Sequence, residues 1–245
     1  MSNYIDYPFA AFITNLGKYN EGELVGEWVK FPTTAEDLKE VFQRIGIGQE
    51  DNFGHPYEEW FITDYDCYVD GLYSKLGEYE NLDELNYLAS KLDEMSESEY
   101  AQFQVGMEMG DHCGSLQEII NLTENLDCYD IYPEIEDWDD LGRYYIEELV
   151  GLEVPEYLKE YIDYEGYGES IALDENGQFT EQGYVRYNGT SFHEVYNGDP
   201  ETIPEEYRVI PTQKERKPSV REALEQLKEE QKPARSAKPP QEMAR

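Results

Sequence analysis

The sequence predicts an α+β protein laid out as an elongated chain of three small domains followed by a flexible tail. Three observations carry that expectation. Patterns of period two and period 3.6 alternate in short pieces along the first 212 residues. Apolar content is 39%, low for one large globule, while 14% aromatic residues, with 22 Tyr, is too many for a disordered chain. Charge changes abruptly near residue 212: residues 1–212 hold 10 basic and 49 acidic side chains, net −39, and residues 213–245 hold 9 and 6, net +3.

The N-terminal unit, residues 1–70, opens with two apolar and aromatic runs, Phe9–Leu16 and Glu23–Phe31. Between them Gly17-Lys18-Tyr19-Asn20-Glu21-Gly22 supplies turn chemistry, so a hairpin is expected. Thr33 with Glu36 forms a capping box after Pro32. Ala35, Leu38, Val41, Phe42 and Ile45 then make the buried stripe of a helix that stops at Gly46 or Gly48. Tyr57–Asp66 returns as a third strand on the same sheet.

The middle unit, residues 71–126, is expected to be helical. Leu82, Leu85, Leu88, Ala89 and Leu92 line one face after an Asn81 cap, a second helix follows Ser96, and Ser115 with Glu118 caps a third. In the third unit, residues 127–212, a strand Cys128–Tyr132 is closed by Pro133. Helices follow over about Trp138–Leu149 and Pro155–Asp163, with strands around Gly183–Tyr187 and Phe192–Tyr196. Asp174-Glu175-Asn176-Gly177 reads as a hairpin turn, since Asn-Gly favours type I′ geometry. Residues 213–245, Pro-rich and free of aromatics, read as a mobile tail with one short helix, capped by Ser219 with Glu222 and carrying Val220, Leu224 and Leu227 at helical spacing.

Composition excludes several functions. A net charge of −36 argues against direct binding of nucleic acid, itself a polyanion, and against anionic membrane surfaces. No apolar run approaches the roughly 20 residues of a membrane helix, and MSNYIDYP has neither region of a signal peptide, so a cytoplasmic protein is expected. Cys67, Cys113 and Cys128 form no CxxC pair and read as reduced thiols. Asp66 taken as the first position of a calcium loop puts Gly77 where the bidentate Glu belongs, so that motif fails. His112 beside Cys113 has no companion at ligand spacing, and His55 and His193 stand alone. Neither phosphate-binding glycine loop is present. No catalytic group, cofactor or metal is expected.

What remains is the charge. Residues Tyr57–Glu175 carry 34 acidic side chains against Lys75, Lys91, Arg143 and Lys159, a continuous negative skin. Duplex DNA carries one charge per ~1.7 Å of axis, so a net 39 charges correspond to roughly 66 Å, or about 20 base pairs. A compact body of this size has a diameter of only about 43 Å, so matching DNA requires a stretched one. Two readings follow from charge alone: carboxylates placed at phosphate-like spacing to occupy the DNA channel of an enzyme, or adaptation to salt.

Four stretches separate them. PFAAFITNLGKYNEGELVGEWVKFP (Pro8–Pro32), YEEWFITDYD (Tyr57–Asp66), LGRYYIEEL (Leu141–Leu149) and LEVPEYLKEYIDYEGYGESI (Leu152–Ile171), in this order, together resemble the antirestriction protein ArdA family. VPEYLKEYIDYEGYG looks like that family's antirestriction motif. The resemblance implies a DNA mimic carried by plasmids or conjugative transposons, an elongated three-domain α+β homodimer that blocks type I restriction-modification enzymes. In the family an Arg often follows the Tyr-Gly of the motif, whereas Glu169 stands here, and the tail from about Gln213 lies beyond the likeness.

On that reading no chemistry is performed, and a basic DNA groove accepts a polyanion of similar shape. The candidate partner-binding surface comprises Asp83, Glu84, Asp93, Glu94, Glu97, Glu99, Glu118, Glu124, Asp127 and Asp130, continuing through Glu134, Glu136, Asp137, Asp139, Asp140, Glu147, Glu148, Glu156, Glu160 and Asp163. Some of these are expected instead as helix caps or as partners of Arg143 and Lys159. Tyr144, Tyr145, Tyr157, Tyr161, Tyr164 and Tyr167 are expected to pack rather than stack on bases. The homodimer seam is expected at the strand edge formed by Cys128, Tyr129, Ile131 and Tyr132. Two rivals stay open, an acidic decoy for another basic DNA-binding protein and a carboxylate-based hydrolase.

Overall fold

The run Phe9–Asn15 is apolar or small at nearly every position, as a strand with neighbours on both sides requires. In the computed structural model, which describes residues 7–210, it is the central strand β1. β2 (Gly26–Phe31) and β3 (Trp60–Cys67) flank it, both antiparallel, in the order β2-β1-β3. Phe9 lies opposite Phe31 and Cys67, and Phe12 opposite Trp28 and Asp64. The expected hairpin and third strand are therefore present. The connection is not a simple turn, because Asn15 accepts from the Lys18 backbone N–H and starts a one-turn helix, α1 (Leu16–Asn20). α2 (Ala35–Arg44) is capped one residue later than expected: Thr34 accepts from Asp37, while the Thr33 N–H donates to Asn86. Leu38, Val41 and Ile45 are buried as the stripe required.

Each middle helix starts at its expected cap. Asn81 accepts from Asp83 and Glu84 at the start of α3 (Leu82–Glu94). Ser96 and Glu99 cap α4 (Glu97–Met109) reciprocally, and Ser115 accepts from Glu118 at α5 (Leu116–Leu122). Leu82, Leu85, Leu88, Leu92, Phe103 and Ile119 join Phe9, Ile13 and Phe31 of the sheet in one buried cluster. Across these helices runs residues 188–210, in which the expected strand at Phe192–Tyr196 does not form. This strap is held by buried polar side chains instead. Asn125 accepts from His193 N–H, and Asn121 accepts from Val195 and Tyr196 N–H. Asn86 donates to the Tyr207 carbonyl, and Asp83 accepts from Val209 and Ile210 N–H. Tyr196, Ile203 and Val209 enter the same core.

A second sheet contains β4 (Tyr129–Tyr132), β5 (Gln178–Thr180) and β6 (Gly183–Tyr187) in the order β4-β6-β5, all antiparallel. The helix expected over Trp138–Leu149 divides into α6 (Trp138–Arg143) and a π-helical turn, Tyr144–Leu149. The helix expected over Pro155–Asp163 shrinks to one turn, α7 (Glu156–Lys159), and the longest helix here, α8 (Tyr164–Glu175), was not expected. Asn176-Gly177 is not a hairpin turn. Asn176, at φ 53°, is the left-handed cap of α8, and the Gly177 N–H donates to the Ala172 carbonyl. Ile135, Leu141, Ala172 and Tyr184 form a smaller core between α6, α8 and this sheet. The short helix expected at Ser219–Leu227, and the tail as a whole, lie outside the described residues.

Candidate functional site: an acidic surface

The twenty candidate acids divide by burial. Asp93, Glu94, Glu97, Glu99, Glu118, Glu124, Asp127, Glu134, Glu136, Asp137, Glu148, Glu156, Glu160 and Asp163 are exposed. Glu84, Asp130, Asp139, Asp140 and Glu147 are half-buried. Asp83 is a correction: at 7% exposure, with its carboxylate on the Val209 and Ile210 N–H groups, it fastens the strap and is not part of the surface. Glu84 sits beside it and accepts from the Tyr196 hydroxyl at 2.7 Å; burial nonetheless lifts its pKa above the ordinary value.

Several others hold the fold as well as carrying charge. Glu99 and Glu118 accept from the Ser96 and Gly114 N–H groups, Asp137 and Asp163 cap α6 and α8, and Asp140 accepts from Glu136 N–H. Lys91 pairs with Glu124 and Arg143 with Asp139; Lys159 pairs with Glu147 and Glu156, and Arg186 with Asp130 and Glu175. These four cations are thus taken up locally. Among the described residues, the carboxylates of Asp93, Glu94, Asp127, Glu134, Glu136, Glu148 and Glu160 have no side-chain partner.

The segment Leu141–Ile171 is built around one close crossing. A Cβ on Gly142 would lie 2.0 Å from the Tyr164 carbonyl oxygen, and a Cβ on Gly168 2.0 Å from that of Trp138, so the two glycines allow α6 and α8 to touch through their backbones. Tyr164 is buried there, with the Arg143 guanidinium 4.2 Å from its ring centroid and its hydroxyl donating to Glu147 at 2.7 Å. That bond, followed by Lys159 and Arg143, holds the Glu147 carboxyl below its ordinary pKa. Tyr144 and Tyr145 pack on the smaller core as expected. Tyr157 and Tyr161 do not: they are 73% and 82% exposed, and with Leu149, Val150 and Leu152 they give the segment an apolar outer face.

Sequence reasoning missed a polar knot centred on Arg186. It donates to Asp130 and to Tyr145 Oη, and pairs with Glu175, which also accepts from Tyr145 and Tyr184. Burial works against its charge, yet Glu175, Tyr145 and Tyr132 together more than offset this and keep the guanidinium protonated. β4 is an edge strand, as the seam requires, but the Cys128 and Tyr129 side chains are buried within the chain, leaving Ile131 and Tyr132 half-exposed. A cleft of about 940 Å³ runs beside it, between Ser98, Ala101 and Gln102 of α4 and the β5–β6 turn. Among the described residues no three His, Cys, Asp or Glu side chains converge as metal ligands.

The family model of the antirestriction protein (ArdA) matches residues 11–186, from the first strand to the last, including the glycine crossing. The chain belongs to the ArdA family. No curated protein matches it. Membership assigns an antirestriction role, which is inhibition rather than catalysis, and points to restriction enzymes as targets. The ArdA match ends before the strap, although the strap completes the core. Among the described residues no helix is long and apolar enough to cross a membrane.

Proposed function

We propose that this ArdA-family chain is a DNA mimic that occupies the DNA-binding groove of type I restriction-modification enzymes and so protects incoming mobile DNA in the cytoplasm. The observation that carries the reading is the surplus of exposed carboxylates over the ion pairs that the body forms. Fourteen of twenty candidate acids face solvent, and seven have no side-chain partner among the described residues. An enzyme groove that grips DNA through Lys and Arg meets the same charge on this surface. The reading keeps units 1–70, 71–126 and 127–212 as segments along which the charge is spread, one buried cluster running through all three. No residue is assigned a catalytic role, and no cofactor is called for.

The reading includes a homodimer, which doubles the mimicked length to about 40 base pairs. The free edge of β4 supports it, with Ile131 and Tyr132 as the seam side chains and the backbone of Cys128 and Tyr129 beside them. Ile131→Asp should yield monomers by light scattering, and a variant still dimeric at micromolar concentration places the seam elsewhere. For the function itself, cleavage by a purified type I enzyme should be inhibited under conditions that leave a type II enzyme and a nonspecific nuclease active. Equal inhibition of all three indicates a general acidic decoy.

A further inference from the structure

Strand pairing in the N-terminal sheet sends Phe9, Ala11, Ile13, Val29, Phe31 and Ile62 to the core face, and Phe12, Thr14, Trp28 and Phe61 to the other. α2 and α3 cover the core face, where Leu38, Val41, Leu82 and Leu85 join the buried cluster. The outer face carries rings instead. Phe12 meets Trp28 edge-on at 5.4 Å, and one row along Phe61 meets Tyr19 of α1 edge-on at 5.1 Å and stacks with Tyr79 at 6.3 Å. Phe61 is 7% exposed yet belongs to neither buried cluster, so these rings form an apolar patch of their own. Its outer members face water: Trp28, Tyr19 and Tyr79 are 45%, 50% and 73% exposed. Single exposed apolar side chains are ordinary; three rings gathered on one sheet face mark a contact surface.

Size and charge say what covers it. Burying an aromatic side chain completely removes roughly 150–250 Å² from water, so three rings that are about half exposed offer roughly 300 Å². A stable pair of copies needs roughly 800 Å² from each partner. The remainder would have to come from the surroundings of the patch, which hold Asp64 and Asp66 on the same face against Lys30, in a chain of net charge −36. A second copy meets that surface with the same sign and is repelled. The partner that fits is a protein presenting an apolar patch rimmed by Lys or Arg.

We propose that the outer face of the N-terminal sheet is an apolar anchor for the restriction enzyme, Trp28, Tyr19 and Tyr79 packing on an apolar patch of that enzyme while the carboxylates around them meet its basic groups. The identity of the partner rests on the mimicry reading. Phosphates offer no counterpart to such an anchor. The complex is therefore held by two contributions of different salt dependence: charge pairing fades as salt screens it, and ring burial does not.

The test is calorimetric titration of a purified type I enzyme with the full chain, with Trp28→Thr and with Tyr79→Ser, alongside displacement of a DNA duplex already bound to the enzyme. Each variant should bind about fivefold to tenfold more weakly, at about 0.1 M and about 0.5 M salt alike. The heat-capacity change on binding should also be less negative than for the unaltered chain, a shift that lost charge pairing does not produce. Thr suits an edge strand and Tyr79 is largely exposed, so thermal midpoints should stay in place; if Trp28→Thr misfolds, Tyr79→Ser decides. Full DNA displacement by the unaltered chain, with affinity and heat capacity unmoved in the variants, overturns the anchor and leaves mimicry standing. Binding that the variants weaken but that displaces no DNA upholds the anchor and overturns mimicry. No binding at all overturns both. Self-association of the chain alone that disappears in the variants, measured by sedimentation, gives the face to a second copy and overturns the anchor.

Discussion

At the scale of single residues, acidic side chains of one chemical type do two kinds of work, and partners rather than sequence position decide which. Asp83 is closed onto backbone N–H groups, while Asp93, ten residues on in the same helix, faces solvent. Glu147 belongs to the first kind, held by Tyr164, Lys159 and Arg143. Its pKa is lowered below the ordinary carboxylate value in the folded chain. A depressed folded value means that the carboxylate's contribution to stability is fully present above the unfolded pKa and is lost as pH falls through the folded one. Glu147→Gln should therefore lower the thermal midpoint at pH 7, and the gap between variant and unaltered chain should narrow as pH falls toward 3. A gap of constant size would show that the ionised form is not what stabilises.

At the scale of elements, legibility follows the range of the interaction. The starts of α3, α4 and α5 are decided within three residues of Asn81, Ser96 and Ser115 and were readable. α8 was not, because Gly166 and Gly168 lower helix propensity and the reason for Gly168 is a contact with the Trp138 carbonyl in another helix. Gly168→Ala drives a methyl into backbone that cannot step aside. It should cost about 3 kcal/mol in urea unfolding, against little for Ser170→Ala on the exposed face of the same helix. The strap was equally opaque, since Asn121 and Asn125 meet it across long stretches of chain. A chain ending at Tyr187 strips the partners from Asp83, Asn121 and Asn125 and removes Tyr196, Ile203 and Val209 from the core, so it should lose cooperative unfolding. A chain ending at Thr212 should keep its thermal midpoint and its inhibitory potency. Loss of tenfold or more in potency on that shorter deletion would give residues 213–245 a part in inhibition.

At the scale of the whole molecule, the charge that the composition announced becomes a property no single residue owns. Affinity assembled from many carboxylates, each meeting a Lys or Arg across a wet groove, gives each exposed pair little to contribute. Neutralising one of Asp93, Glu94, Glu134, Glu136 or Glu160, by Asp→Asn or Glu→Gln, should weaken inhibition no more than about fivefold. Neutralising all five should weaken it far more than any one. Because these side chains have no partner among the described residues, the fivefold variant should unfold at the same temperature as the unaltered chain or higher, since self-repulsion falls with net charge. Inhibition and stability should thus part company on this surface, whereas at Asp83 or Glu147 they fall together. Salt supplies the independent check: screening shortens the Debye length from ~10 Å at 0.1 M to ~3 Å at 1 M, so the complex should weaken as salt rises, and the salt slope should be shallower for the five-site variant. A single neutralised carboxylate that abolished inhibition in a folded chain, with its neighbours silent, would instead mark a catalytic group and return the hydrolase reading.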